Sequence, residues 1–151
     1  MSLTNRINDE FSDYTALAIS VDKKSHNYTV SIVSSKQIPE NFYEWNISID
    51  IYNSKTMTWI NSLSEVLNGW RGGDESVICG GALYFLLYST GAGISDNRHG
   101  LIKYNLSNHS SHGLLSNFIP APWYLTSVRL MNLNEKLVMV GGIGKDERPD
   151  R

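Results

Sequence analysis

Among the side chains suited to nucleophile, base or soft-ligand chemistry near neutral pH, the sequence offers one cysteine, Cys79, and four histidines, His26, His99, His109 and His112. A cysteine nucleophile needs a histidine base and surroundings that lower its pKa. Cys79 instead ends the apolar run ESVIC, which predicts a buried, inert thiol. No G-x-S-x-G string marks a serine nucleophile. His109 and His112 have a ligand-like spacing, but they straddle a turn and a strand with no carboxylate or cysteine beside them to complete a site. Gly91-Ala92-Gly93 begins like a dinucleotide fingerprint, yet Asp96 stands where the third glycine belongs and no helix follows to hold the phosphates. GGIGKD fails as a phosphate loop, with Met139 in place of the first glycine and Asp146 in place of the final hydroxyl. The expectation is a chain with no catalytic residue, no metal and no cofactor.

What remains is recognition. Residues 68–76, NGWRGGDES, combine a tryptophan and an arginine, the types that anchor interfaces, with glycines that let a partner approach the backbone. Residues 95–100, SDNRHG, and 118–124, FIPAPWY, are two further polar or aromatic segments between apolar runs. If all three are loops emerging on one face, Trp70, Arg71, Asp74, Asn97, Arg98, His99 and Trp123 line a peptide-binding surface. The alternative is that Trp70 and Trp123 pack between structural units while Arg71 or Arg98 pairs with Asp74 or Glu75 to hold the loops.

Composition sets the partner class. The 151 residues are 41% hydrophobic and 19% charged with a formal net charge of −2, an ordinary globular composition. No basic cluster exceeds a pair, so neither nucleic acid nor an anionic membrane surface is an expected partner. A single cysteine excludes an internal disulfide. The start MSLTNRINDEFSDYTA lacks the basic and apolar regions of a signal peptide, and no run of eighteen apolar residues occurs. Cytoplasm or nucleus is the expected compartment, and the four Asn-x-Ser/Thr sequons at Asn27, Asn46, Asn105 and Asn108 are ascribed to chance.

The elements that must position these residues read as an all-β architecture. Alternating apolar and polar residues predict a hairpin of 14–21 with 28–34, then, after a proline-containing excursion over 35–45, a second hairpin of 46–52 with 57–60. The one helix candidate is 61–68. The pattern recurs as 75–79, 82–88, 100–106 and 111–115, and again as 125–133 and 136–142. A polar segment, 1–13, precedes three units: 14–60, 75–115 and an incomplete 125–151. Four strands repeating about every fifty residues is the signature of a β-propeller of kelch repeats, each unit a blade that stacks on its neighbours. Tyr52 and Trp59 stand in the Tyr-x6-Trp relation, Tyr104 is the second unit's counterpart of Tyr52, and Gly141-Gly142 ends a second strand where kelch repeats carry paired glycines. A copper-radical oxidase of the galactose oxidase kind would need a Cys-linked tyrosine, a further tyrosine and two histidines at the propeller axis, a set this sequence does not display.

The strings GWRGGDESVICGGALYFLLYSTGAG, NRHGLIKYNLS, SSHGLL, RLMNL and EKLVMVGGIGK closely resemble the plant F-box/kelch-repeat proteins of the F-box only type, the group that includes the leaf-curling regulator, from about Tyr14 to Asp150. The resemblance implies a kelch propeller that holds a target protein or peptide, while an F-box ahead of it binds the Skp1-like adaptor of an SCF-type ubiquitin ligase. Only about a dozen polar residues precede the first strand, where an F-box needs forty to fifty, so the expectation is the propeller part without the F-box. The adaptor is then a partner only if the full-length protein carries an F-box. Gly80 replaces the aspartate of this hairpin turn, a change glycine's conformational freedom tolerates. About two and a half blades cannot close a ring of about four to eight, so both outer blades should expose an apolar face. The alternatives are a fragment without independent function and, further off, a galactose-oxidase-like or carbohydrate-binding propeller.

Overall fold

The computed structural model describes residues 14–91, 99–107, 113–122 and 125–143. Every regular element there is a strand, apart from one 3-10 turn at Leu114–Asn117. Sheet 1 is the meander β1 (Tyr14–Val21), β2 (Tyr28–Ile38), β3 (Asn41–Asn53) and β4 (Thr58–Asn68). Sheet 2 repeats the order with β5 (Trp70–Cys79), β6 (Ala82–Ser89), β7 (His99–Asn105) and the short β8 (Phe118–Pro120). Sheet 3 is the pair β9 (Leu125–Leu133) and β10 (Lys136–Ile143). All pairings are antiparallel. The molecule is therefore all-β, two four-stranded blades and a two-stranded third, as the repeat predicts.

Period-two alternation decides which way each strand faces. In β1, Ala16 and Ala18 are buried while Leu17 and Ile19 are open to solvent. Ala16 and Ala18 share their face with Val33, Ile47 and Ile49, and that face packs on Leu83, Phe85, Leu87 and Ile102 of sheet 2. The opposite face of sheet 2 carries Leu86 and Leu101, which meet Val128 and Leu130 of β9. Sheet 2 is thus covered on both sides. The outward faces of sheets 1 and 3 expose Leu17, Ile19 and Val21 on one and Met131, Leu133 and Val140 on the other, as expected for outer blades.

Polar contacts join the sheets where their apolar faces end. Ser62 and Tyr104 share a 2.6 Å hydrogen bond between the hydroxyls, and the Leu114 amide donates to the Glu65 carboxylate at 3.1 Å. Between sheets 2 and 3, the Asn132 side-chain amide donates to the Ile78 carbonyl at 3.1 Å, and the Gly80 amide donates to Glu135 at 2.8 Å. Gly80 and Gly81 both have positive φ, +58° and +78°, which fits the tight β5–β6 turn to glycine.

Three sequence expectations are corrected. Residues 61–68 are not a helix but the second half of β4; the spacing of Leu63 and Leu67 suggests a helical stripe, but a bulge opposite Ile49/Asp50 resets the alternation so that both meet β3 on the core side. Tertiary pairing outweighs local pattern here. The stretch 35–45 is not an excursion: β2 runs on to Ile38 and β3 starts at Asn41, joined by a turn with Glu40 at φ 66°. Proline at position 39 suits that turn because it needs no ladder hydrogen bond there. The fourth strand of sheet 2 is Phe118–Pro120 and not 111–115; Leu114 and Leu115 belong to the 3-10 turn, while residues 111 and 112 lie outside the described residues.

Candidate functional site

The β5, β6, β7 and β8 strands bring one end of sheet 2 together through the pairs Trp70↔Ser89, Tyr88↔His99 and Gly100↔Pro120. Trp70, Arg71, Asp74 and His99 gather at this end. Asn97, Arg98 and Trp123 lie outside the described residues. Contrary to expectation, Trp70, Arg71 and Asp74 are not in a loop; β5 begins at Trp70 and passes through them. An irregularity between Gly72 and Ser76 puts extra residues into β5, bending it and turning Asp74 outward to solvent.

Each residue has a distinct setting. The Trp70 ring packs 4.7 Å from the Phe118 ring and against the core between sheets 1 and 2, the structural alternative for this tryptophan. The Arg71 guanidinium does not pair with Asp74 or Glu75. It lies 4.1 Å from the Tyr14 ring centre and 5.0 Å from that of Tyr88, and its Nη1 donates to the Gly72 carbonyl at 2.8 Å. A Cβ on Gly73 would stand 2.6 Å from the Tyr88 ring and one on Gly72 3.0 Å from the Ser35 Cβ, so the two glycines are what allow this close packing. Glu75 is taken up by sheet 3: its carboxylate accepts from Arg129 at 2.5 Å and from the Leu130 amide at 3.1 Å. His99 is 5% exposed and stacks on Tyr88, with ring centres 6.0 Å apart.

Asp74, Tyr88 and His99 form one wall of a cleft of about 400 Å³ whose other wall is the run Leu125, Thr126, Ser127, Val128 and Arg129 of β9. Burial, and then the negative charge of Asp74, push the Tyr88 hydroxyl above the ordinary tyrosine pKa, so it remains a neutral donor. The bond to Glu75 pushes the Arg129 guanidinium up, so it stays charged. The cleft offers hydrogen bonds, one carboxylate and aromatic edges, the equipment of a binding surface. Sequence reasoning missed Tyr14, Tyr88, Ser127 and Arg129. Only Arg129 left a signal, as the outward charge in the alternating run LTSVRLMNL.

The repeat residues are placed as follows. Tyr52 and Trp59 are direct cross-strand partners with ring centres 5.3 Å apart, and Tyr28 adds a third ring 6.0 Å from Tyr52. This row lies on the face of sheet 1 turned away from sheet 2, and Tyr104 occupies the same side of sheet 2, turned toward sheet 1. Gly141 and Gly142 sit at the β10 bulge, close against Thr126 of β9. Cys79 is 4% exposed, and burial, with the nearby charge of Glu135, pushes its thiol pKa up. Among the described residues no three His, Cys, Asp or Glu side chains gather as metal ligands. No helix among them is long and apolar enough to cross a membrane.

No family model matches the chain, and no solved structure matches it. Across 92% of its length it is 54% identical to the F-box/kelch-repeat protein At3g61590 of Arabidopsis thaliana. The chain spans 36% of the length of that relative. Sheets stacked as successive four-stranded units, together with this degree of identity, make the chain a homologue of part of an F-box/kelch-repeat protein, with the fold of a partial kelch propeller.

Proposed function

We propose that the chain is a non-catalytic protein-interaction module, the substrate-recognition part of an F-box/kelch subunit of an SCF-type E3 ubiquitin ligase, acting in protein ubiquitination. The observation that carries the proposal is the 54% identity to an F-box/kelch-repeat protein. On this reading the chain holds a target protein or peptide at the Trp70–Arg71–Asp74 end of sheet 2, and Asn97, Arg98, His99 and Trp123 belong to the same surface. Ubiquitin transfer is performed by other subunits. A Skp1-like adaptor joins through an F-box in the full-length protein, and the setting is cytoplasmic or nuclear.

Affinity purification of the tagged full-length protein from plant tissue tests this, with the Arg71→Ala/Asp74→Asn double variant alongside. The expected result is that the adaptor is recovered with both proteins and that a defined set of further proteins is lost from the variant. Recovery of the same set with both, or of no adaptor with either, counts against the proposal.

A further inference from the structure

The face of sheet 1 turned away from sheet 2 is not uniformly open. Cross-strand pairing puts Leu17, Ile32, Asp50 and Asn61 in one row on that face, and Ile19, Val30, Tyr52 and Trp59 in the next. At β1 both rows are open, with Leu17 45% exposed and Ile19 62%. Over β2 and β3 they close: Ile32 is 1% exposed and Asp50 6%, and Val30 and Ser34 are buried beside them. At β4 the face opens again, with Asn61, Ser64 and Val66 exposed. Val30 and Ile32 belong to neither core cluster, and sheet 2 meets sheet 1 through β5 on the opposite face. The buried strip is about two strands, or about 10 Å, wide, the width of one chain segment. Where a whole sheet does the covering, on the opposite face, burial runs across all four strands, from Ala16 and Ala18 through Val33 and Ile49 to Leu67.

We infer that residues 1–13, MSLTNRINDEFSD, lie along this strip as a single covering segment, with Arg6 as the counter-ion of Asp50. Tyr14 opens β1 opposite Ser35, so the segment reaches the face beside the Ser34 end of the strip. The strip from Ser34 to Val30 is about 14 Å long, and thirteen residues span about 40 Å when extended, so the chain length is ample. The other segments outside the described residues leave from sheets 2 and 3. Leu3, Ile7 and Phe11 supply apolar cover for Val30 and Ile32, and Arg6 is the only basic residue of the segment. The Asn61 side chain donates to one Asp50 oxygen at 3.0 Å, and Asp50, like Thr15 and Trp59 on the same face, takes part in a further interaction. A carboxylate buried beneath apolar cover is costly unless a cation or further donors meet it, and Arg6 meets that need. The segment thus does for the middle of this face part of what sheet 2 does for the other.

The test is disulfide trapping in the full chain on a Cys79→Ser background. Asn5→Cys is combined either with Asn61→Cys, beside Asp50, or with Met131→Cys on the outward face of sheet 3. With oxidised glutathione at low micromolar protein, the first pair should close within one chain at least fivefold faster than the second, and Arg6→Gln should slow that closure at least threefold. Equal closure of the two pairs, or none of the first, overturns the inference. Closure only between chains also overturns it and assigns the face to a second copy. Closure unaffected by Arg6→Gln overturns the counter-ion role. Hydroxyl-radical footprinting gives a second readout: in a variant lacking residues 2–13, Ile32 should react at least threefold more, with Phe85 between sheets 1 and 2 still protected. Unchanged Ile32 beside protected Phe85 overturns the inference; if Phe85 reacts as well, the stack has opened and the disulfide pairs decide.

Discussion

The guanidinium carbon of Arg71 sits 4.1 Å from the centre of the Tyr14 ring, which ties the first strand of sheet 2 to the first strand of sheet 1. With Tyr88 at 5.0 Å on the other side, the cation is held between two π faces that belong to different sheets. Replacing Arg71 by alanine should cost about 1–2 kcal/mol of stability, read as a lower urea midpoint. Lysine keeps the charge but not the flat, stackable fork, so Arg71→Lys should recover less than half of that loss. Full recovery by lysine would show that charge alone matters.

Glu75 and Arg129 should prove unequal partners. The Arg129 side chain is 69% exposed and the Glu75 side chain 15%. Arg129→Ala removes a solvent-screened ion pair and should barely move the unfolding midpoint. Glu75→Ala also strands the Leu130 amide and should cost about 1.5–3 kcal/mol. Equilibrium unfolding of the two single variants and the double variant separates the pair term from the amide term.

Glu135 gives the contact between sheets 2 and 3 a pH dependence. The Gly80 amide, and then the Asn132 side chain, hold its carboxyl below the ordinary value of 4.5. A lowered folded-state pKa means that its contribution is complete above about pH 4.5 and disappears as the pH falls through the depressed value. The difference in unfolding midpoint between the native chain and Glu135→Gln should therefore be largest near neutral pH and close as the pH falls below 4.5 and through the depressed value. A gap that widens on acidification would contradict the assigned sign.

Cys79 should resist thiol reagents in the folded chain. Burial is the main cause of its raised pKa, and thiolate is the reactive form. At pH 8, Ellman's reagent should modify it only at the rate of unfolding, and fully once denaturant is added. Rapid modification of the folded chain would mean that the β5–β6 hairpin opens.

Much of this fold was legible because the strands alternate cleanly. YTALAISV shows its buried and open faces in the sequence, YTVSIVS and KLVMVGG are recognisable as strands by the same alternation although β2 is buried on both faces from Val30 to Ser35, and the turns between strands carry Gly, Asn or Asp. Legibility failed where register depends on the partner strand. Nothing in NSLSEVLN announces that a bulge will draw it into β4, and WRGGDES reads as a loop because its glycines serve close packing against Ser35 and Tyr88 instead of a turn. The cleft was half visible. Asp74 and His99 stood out by residue type, whereas Trp70 and Arg71, singled out with them, do not line the cleft, and Tyr88 and Arg129 reach it only through the stacking of sheets 2 and 3, which no local pattern encodes.

Sheet 2 is covered by another sheet on both faces and its two neighbours on one each, and this asymmetry sets an order of opening. In a linear stack whose units are coupled only to their neighbours, the middle unit is held twice and the end units once. Amide protons of β6 and β7 should thus outlast those of the other described strands in hydrogen exchange, with β10, an edge of the two-stranded sheet among the described residues, exchanging first. The two walls of the cleft lie at different points of that gradient: Tyr88 and His99 belong to the twice-covered sheet 2, and residues 125–129 to the two-stranded sheet 3. The β9 wall should therefore loosen while the sheet 2 wall keeps its geometry.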